Sequence, residues 1–296
     1  MPVTPLPRAI TDDEVRTFWR DGVVCLRAVM PVDWLRRMEQ PVEAALASGT
    51  VADLSEMGDA LAGDDAPPNG KAGTGARGRF LAGTDHWRAQ PEFLAFACRS
   101  PLGAVVARLL DSRNVWFYED SVLVKEPGAV EATAFHQDMS YFHLEGDQVC
   151  TTWVPLDAVD AENGAVQFVR GSHRRRTRFR PNLFVTDMPI PGTEGEIVAD
   201  FSQSADLVSF DTQPGDVTVH HARTIHGARA NSSPTRRRRA ISVRFAGDDV
   251  VYRITPGAPT KPHHAPLVEG RPLSADVCPQ AWPPDRVSAD PPGDAV

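Results

Sequence analysis

The run "ADLVSFDTQPGDVTVHHARTIHG", residues 205–227, decides the fold class. Two short blocks rich in β-branched and aromatic residues flank an Asp, Pro and Gly turn signal. The same texture recurs in "NVWFYEDSVLVKEPG" (114–128), "DQVCTTWVPLDAV" (147–159), "GAVQFVRGSH" (164–173) and "RRRRAISVRFAGDD" (236–249). Several short strands at modest spacing, without alternating βαβ units, indicate a sandwich or barrel.

The region before these runs reads differently. "TDDEVRTFWRDG" (11–22) is a short helix, with Thr11 as its cap, Glu14 at the reciprocal capping position and Gly22 past its end. "GVVCLRAVM" (22–30) reads as a strand. "PVDWLRRMEQPVEAALASG" (31–49) reads as a helix that Pro41 kinks or splits. Residues 50–78 are rich in Gly, Asp and Ala and form a long flexible loop, a candidate lid. Their glycines do not match a phosphate loop, because no GxxxxGK[ST] occurs. "PEFLAFACRSPLGAVVARLL" (91–110) is helical with a break near Pro101. Residues 181–205 form a second long connection, and the Pro-rich tail 257–296 is expected to wrap the surface or fray. The chain is thus expected to be a single domain over 1–296, with helical support at 11–110 and a barrel core at about 112–250.

The bulk properties narrow the function. The chain has 296 residues, 42% of them hydrophobic, and a net charge of −8, which argues against a general nucleic-acid binder. Cys25, Cys98, Cys150 and Cys278 are widely spaced with no CxxC, so reduced, buried thiols in a cytoplasmic protein are expected. No apolar signal core or long apolar run suggests a membrane span. The Ala-, Gly-, Arg- and Pro-heavy composition fits a GC-rich bacterial source.

The chemistry concentrates in "TAFHQDMSYFHLEGDQVCTTW" (133–153) and in the opening stretch. If "AFHQD" is a strand, His136 and Asp138 share one face. A buried Asp needs a partner or a metal. His226 is the best third ligand, although His220 and His221 compete and strand parity does not choose among them. Two imidazoles and one carboxylate leave open positions on an octahedral Fe(II), a set used to activate O2. Each residue alone has a plainer explanation: a satisfied core histidine, a turn-capping Asp, a loop hydrogen bond.

The set "FWRDGVVCLRAVM", "TDHWRAQPEF", "VLVKEPG", "FHQDMSYF", "TTWVPLDAVDAENGAVQFVRGSHR", "PGDVTVHHARTIHGARANSSP" and "RRRRAISVRF" resembles the phytanoyl-CoA dioxygenase family, in order, from about residue 11 to 246. The resemblance implies a double-stranded β-helix (jelly-roll or cupin-like) barrel that is mainly β with flanking helices. It implies an Fe(II)-dependent oxygenase with 2-oxoglutarate and O2 as cosubstrates. It implies His136, Asp138 and His226 as iron ligands. A planar Arg suits the far carboxylate of 2-oxoglutarate. Within "RRRR" the family pattern falls on Arg238, with Arg237 as the alternative register and Arg236 sharing the face of Arg238. Two of the four arginines then form a solvated edge. Gln137 and Trp153 resemble cosubstrate-pocket positions, and Lys125 is another candidate, for the cosubstrate or for an anionic part of the primary substrate. Ala228 stands where some relatives carry a hydroxyl.

Asp138 disfavours halogenation, since related halogenases lack that ligand. Hydroxylation of an unactivated carbon is the expected default, with desaturation, epoxidation or a non-enzymatic metal-binding barrel as alternatives. Tyr141, Phe142 and His143 are candidate substrate contacts, within walls at 50–80, 139–144 and 181–205. The basic run "HRRRTRFR" (173–180) suits a soluble surface better than a phosphate site. The expected substrate is a small molecule of bacterial secondary metabolism. A CoA- or carrier-protein-bound substrate is left open, as are monomer and homodimer.

Overall fold

The computed structural model describes residues 2–55, 57 and 77–287. Four helices and fourteen strands follow in chain order among the described residues. The N-terminal part contains α1 (Asp12–Asp21), β1 (Val23–Leu26), α2 (Val32–Ala47), β2 (Ala52–Asp53), β3 (Phe80–Thr84), α3 (Pro91–Arg99) and α4 (Leu102–Leu110). Then come β4 (Val115–Lys125), β5 (Thr133–His136), β6 (Leu144–Glu145), β7 (Val149–Pro155), β8 (Val166–Val169) and β9 (Leu207–Ser209). The last elements are β10 (Val217–His221), β11 (His226–Ala228), β12 (Arg238–Ala246), β13 (Val251–Tyr252) and β14 (Gln280–Trp282).

Eight strands form one antiparallel sheet in the order β1-β10-β7-β12-β4-β3-β2, with β14 also paired to β4. A second antiparallel sheet runs β5-β11-β8-β9. Side chains from both sheets line one internal cavity, so the sheets face each other as a jelly roll.

Period two explains the large sheet. Along β12, Ile241, Val243 and Phe245 enter the apolar core shared with α1 to α4, while Arg238, Ser242 and Arg244 face the cavity. Along β7, Cys150 and Val154 enter that core, and Thr151 and Trp153 face inward. Each fully buried Val, Ile or Phe on the helix side contributes roughly 1.5–3 kcal/mol. The helices thus cover one face of the sheet and leave the other for chemistry.

α1 begins as expected: the Thr11 hydroxyl accepts from the Glu14 amide at 3.2 Å, and the Glu14 carboxylate accepts from the Thr11 amide at 2.8 Å. Gly22 ends the helix at φ 79°, where a Cβ would meet His173 and Thr224 within 2.5 Å. Pro41 does not split α2, which runs unbroken from Val32 to Ala47.

Three expectations need correction. Residues 11–110 are not only helical support, because β1, β2 and β3 join the large sheet at both ends. The described part of the tail, 257–287, does more than wrap the surface: β14 adds to β4, and Ala281 is fully buried in the main core. The large sheet is not confined to about 112–250 plus the N-terminal strands, because β14 at Gln280–Trp282 pairs with β4, and residues 259–262 line a cavity. Of the expected lid at 50–78, positions 56 and 58–76 lie outside the described residues. Among the described residues no single helix is long and apolar enough to cross a membrane.

Candidate metal centre

His136 ends β5 and lies directly opposite His226, which opens β11. Gln137 is extended at φ −114° and ψ 136°, and Asp138 begins a short 3-10 turn. The side-by-side placement of His136 and Asp138 therefore comes from one extended residue, not from a strand continuing through Asp138. One ligand atom each from His136, Asp138 and His226 lies within 4.8 Å of the others. Each histidine Nε2 is 3.8 Å from Asp138 Oδ1.

Two backbone carbonyls set the tautomers. His136 Nδ1 donates to Ala134 O at 2.8 Å, and His226 Nδ1 donates to Thr224 O at 2.9 Å. Each Nε2 is then free as a metal ligand. Burial, then the charge of the His226 ring, pushes His136 down to about 3. Burial, then His220, pushes His226 down to about 4. Burial alone would raise Asp138, but His226, the His220 bond and Arg244 together hold it well below the usual carboxylate range. Two neutral imidazoles and an ionised carboxylate are the protonation states a divalent ion requires, so the donor set fits an iron ion.

The cavity runs from these ligands to Arg238. Arg238 is 2% exposed, its Nε has no hydrogen-bond partner among the described residues, and its guanidinium sits 5.7 Å from the Trp153 ring. Burial lowers its pKa to about 10, against the opposing pull of Asp157. Its neighbours are different. Arg236 pairs with Asp160 at 2.7 Å, Arg237 with Glu43 at 2.6 Å, and Arg239 with Asp157 at 2.7 Å. Three of the four arginines thus serve the outer surface, not two, and Arg236 does not share the inward face of Arg238. Among the described residues, Arg238 is the one of the four without a carboxylate partner.

Other expected residues are placed less simply. Trp153 lines the cavity. Gln137 does not: its amide donates to Arg223 O at 2.8 Å and accepts from the Phe179 amide, because an extended residue between two inward neighbours points outward. Lys125 lies opposite Arg238 on β4, but its Nζ donates to Arg229 O at 2.6 Å beneath the Phe80 ring. Burial, then Arg238, drives its pKa well down. Tyr141 and Phe142 line a second, outer cavity of about 550 Å³, and the Tyr141 hydroxyl donates to Asn182 Oδ1 at 2.8 Å. His143 is turned away from it, donating to Pro259 O at 2.9 Å and accepting from the Thr255 amide. Both ring nitrogens of His143 are thereby engaged in anchoring the tail.

Sequence reasoning missed Thr151, Ser121 and Arg244. Arg244 lies on the same face of β12 as Arg238, so period two was the signal available. His220, a competing ligand candidate by sequence, instead donates from Nε2 to Asp138 Oδ2 at 3.1 Å. His221 points to the opposite side of β10, among Phe18, Trp19 and His173.

Residues 18–240 match the family described as Phytanoyl-CoA dioxygenase (PhyH), and the chain belongs to that family. A probable phytanoyl-CoA dioxygenase of Caenorhabditis elegans is 28% identical over 122 residues, 39% of this chain and 36% of that protein. A probable alpha-ketoglutarate-dependent hypophosphite dioxygenase of Stutzerimonas stutzeri is 28% identical over 148 residues, 46% of each chain. The matched region spans less than half the length of either relative. Among solved structures, the non-heme alpha ketoglutarate dependent epimerase SnoN from nogalamycin biosynthesis superposes with a TM-score of 0.66 at 24% identity, over 92% of this chain and 98% of that one. The carbocyclase SnoK from the same biosynthesis gives 0.62 at 23%, over 94% and 100%. At these identities the likeness establishes the shared fold.

Proposed function

We propose that the protein is an Fe(II)- and 2-oxoglutarate-dependent dioxygenase that hydroxylates an unactivated carbon of a small molecule. One observation carries this reading: a His136, Asp138 and His226 donor set and a buried, unpaired Arg238 lie along one cavity. A buried cation without a counter-ion is costly, and a ligand carboxylate would offset that cost. Iron bound with 2-oxoglutarate and O2 supplies the oxidising power, as 2-oxoglutarate leaves as succinate and CO2 and one oxygen atom enters the substrate.

The chain's own residues hold and orient. His136, Asp138 and His226 would hold the iron. Arg238 would take the far carboxylate of 2-oxoglutarate in a planar fork. Trp153, which lines the same cavity, would wall its aliphatic stem. The substrate occupies the outer cavity, which meets the inner one at Leu123, His136, Asp138, Phe184 and Arg244. Both cations lining the outer cavity are already paired: Lys261 with Glu119 at 2.6 Å, and Arg244 with Glu119 at 3.5 Å. That favours a neutral, amphipathic molecule over the phosphate-rich CoA thioester of the family's name. The relatives named as an epimerase and a carbocyclase act in nogalamycin biosynthesis, which supports a role in bacterial secondary metabolism.

Anaerobic titration of the Fe(II)-loaded protein with 2-oxoglutarate tests the cosubstrate site through the weak visible charge-transfer band. A band that grows to saturation supports the reading, and bound iron without a band removes it. Product mass then separates outcomes, because hydroxylation adds one oxygen whereas desaturation removes two hydrogens.

A further inference from the structure

Asp138 presents its two oxygens to different surroundings. Oδ1 faces both histidine Nε2 atoms at 3.8 Å. Oδ2 accepts from the Thr151 hydroxyl and from His220 Nε2 at 3.1 Å. Thr151 and His220 are direct cross-strand partners on β7 and β10, so sheet register delivers both donors to one oxygen.

We infer that His220 is a positioning residue: with Thr151 it holds Asp138 as a one-oxygen metal ligand. The inference rests on the proposed metal centre and adds a role for a residue outside it. Three protein donors and a two-point cosubstrate would leave one position on an octahedral ion. A second oxygen from Asp138 would take a position that cosubstrate or O2 needs. A carboxylate with a free oxygen has that option, whereas one whose second oxygen accepts two hydrogen bonds does not. There is also a rival attraction. Arg244 lines the same cavity as Asp138 and is itself held by Ser121 and Glu119. Removing His220 would leave Oδ2 with the Thr151 hydroxyl alone and freer to turn toward a bound metal or toward Arg244.

The setting of His220 agrees with this role. The residue is 2% exposed, and its ring lies 5.2 Å from Phe168 and 4.3 Å from His226. Among the described residues its Nδ1 has no partner, so its one polar contact is Asp138. An imidazole kept only for packing has no need of a donor aimed at the carboxylate.

The test compares wild type with His220→Gln, which keeps a donor near the Nε2 position, His220→Leu, which keeps bulk without a donor, and Thr151→Val. Fe(II) affinity is measured by anaerobic titration, and the visible absorption of the Co(II)-loaded protein reports coordination number. Removing an outer partner of a ligand weakens metal binding roughly 10- to 100-fold. His220→Leu is expected to lose affinity in that range and to change the Co(II) spectrum. His220→Gln should restore the wild-type spectrum and bind Fe(II) within about threefold of wild type, a margin well inside that loss. Thr151→Val should shift the spectrum in the same sense as His220→Leu. If His220→Leu does not fold, Thr151→Val and His220→Gln still decide the matter. An unchanged Co(II) spectrum in the leucine or valine variant overturns the inference. So does a folded glutamine variant as impaired as the leucine one, which would make ring packing the cause. If wild type binds no metal, this inference and the proposed centre fall together. If wild type binds metal but gives no band with 2-oxoglutarate, the dioxygenase reading falls alone and the variants still judge His220.

Discussion

The inner and outer cavities share a wall but treat charge in opposite ways. In the inner one, Arg238 is buried with Nε unpartnered and no carboxylate partner among the described residues, and the three ligand side chains converge on one point. In the outer one, Asp85, Lys261, Glu119 and Arg244 form a chain of mutual pairs. An unpaired buried charge is a site waiting for a ligand of opposite sign. A paired one is structure that a ligand must accommodate. On the proposed function, cosubstrate binding would depend on single residues, and substrate binding on the shape and hydrogen bonding of a whole wall.

The contrast breaks most sharply at Asp138. Asp138→Ala should abolish substrate-coupled succinate release and reduce iron retained after gel filtration; unchanged turnover would remove Asp138 from the centre. Arg238→Gln should raise the 2-oxoglutarate requirement by roughly 100-fold, in line with about 2–5 kcal/mol for removing one partner of a buried charge pair. Fe(II) affinity should move little. Arg237→Gln, at a half-exposed surface pair, should change neither, and the reverse pattern would move the carboxylate anchor to Arg237.

A smaller effect is expected in the outer wall. Lys261→Met strands the buried Glu119 and the partly exposed Asp85, so thermal unfolding should shift down by about 5–10 °C, corresponding to about 3 kcal/mol. The 2-oxoglutarate titration should stay as in wild type. Equal melting temperatures would mean that the outer network contributes little and that the contrast is one of geometry alone.

The smallest effect concerns His264, where the tail docks under Tyr118. Its ring is buried, and burial first, then the charges of His263 and Lys261, lowers its pKa to about 2. The folded state keeps it neutral while the unfolded chain protonates below about 6.5. Stability is thus fully present above pH 6.5 and declines as pH falls, by about 1 kcal/mol per pH unit for one such group. His264→Leu should flatten the melting-temperature profile between pH 6.5 and 5 relative to wild type. Parallel profiles would place the acid sensitivity elsewhere.

Much of this was legible because it is local. The capping box at Thr11 and Glu14 is written in four consecutive residues. The alternation in "RRAISVRF" separates a core face from a cavity face without knowledge of any partner strand. Gln137 shows how the same rule can be overlooked: if His136 and Asp138 face in, the residue between them faces out. Lys125 is a different failure. Its position next to Arg238 is a matter of register between β4 and β12, and its Nζ is claimed by a carbonyl more than one hundred residues away in sequence.

The sequence by itself determined the strand texture, the helical N-terminal cover and the residue types that can bind a metal. Hydrogen bonding and side-chain period act within a few residues, and these features need nothing more. Strand parity left His220, His221 and His226 open and the family resemblance pointed to His226 and Arg238, but only the tertiary structure gathers His226 with His136 and Asp138, turns His220 onto Asp138 and His221 to the far side of β10, and leaves Arg238 without a carboxylate partner among the described residues. It also decided that the tail becomes a strand and a cavity wall. Each of those outcomes depends on which distant strands pair and in what register, and a one-residue slip would turn every inward side chain outward.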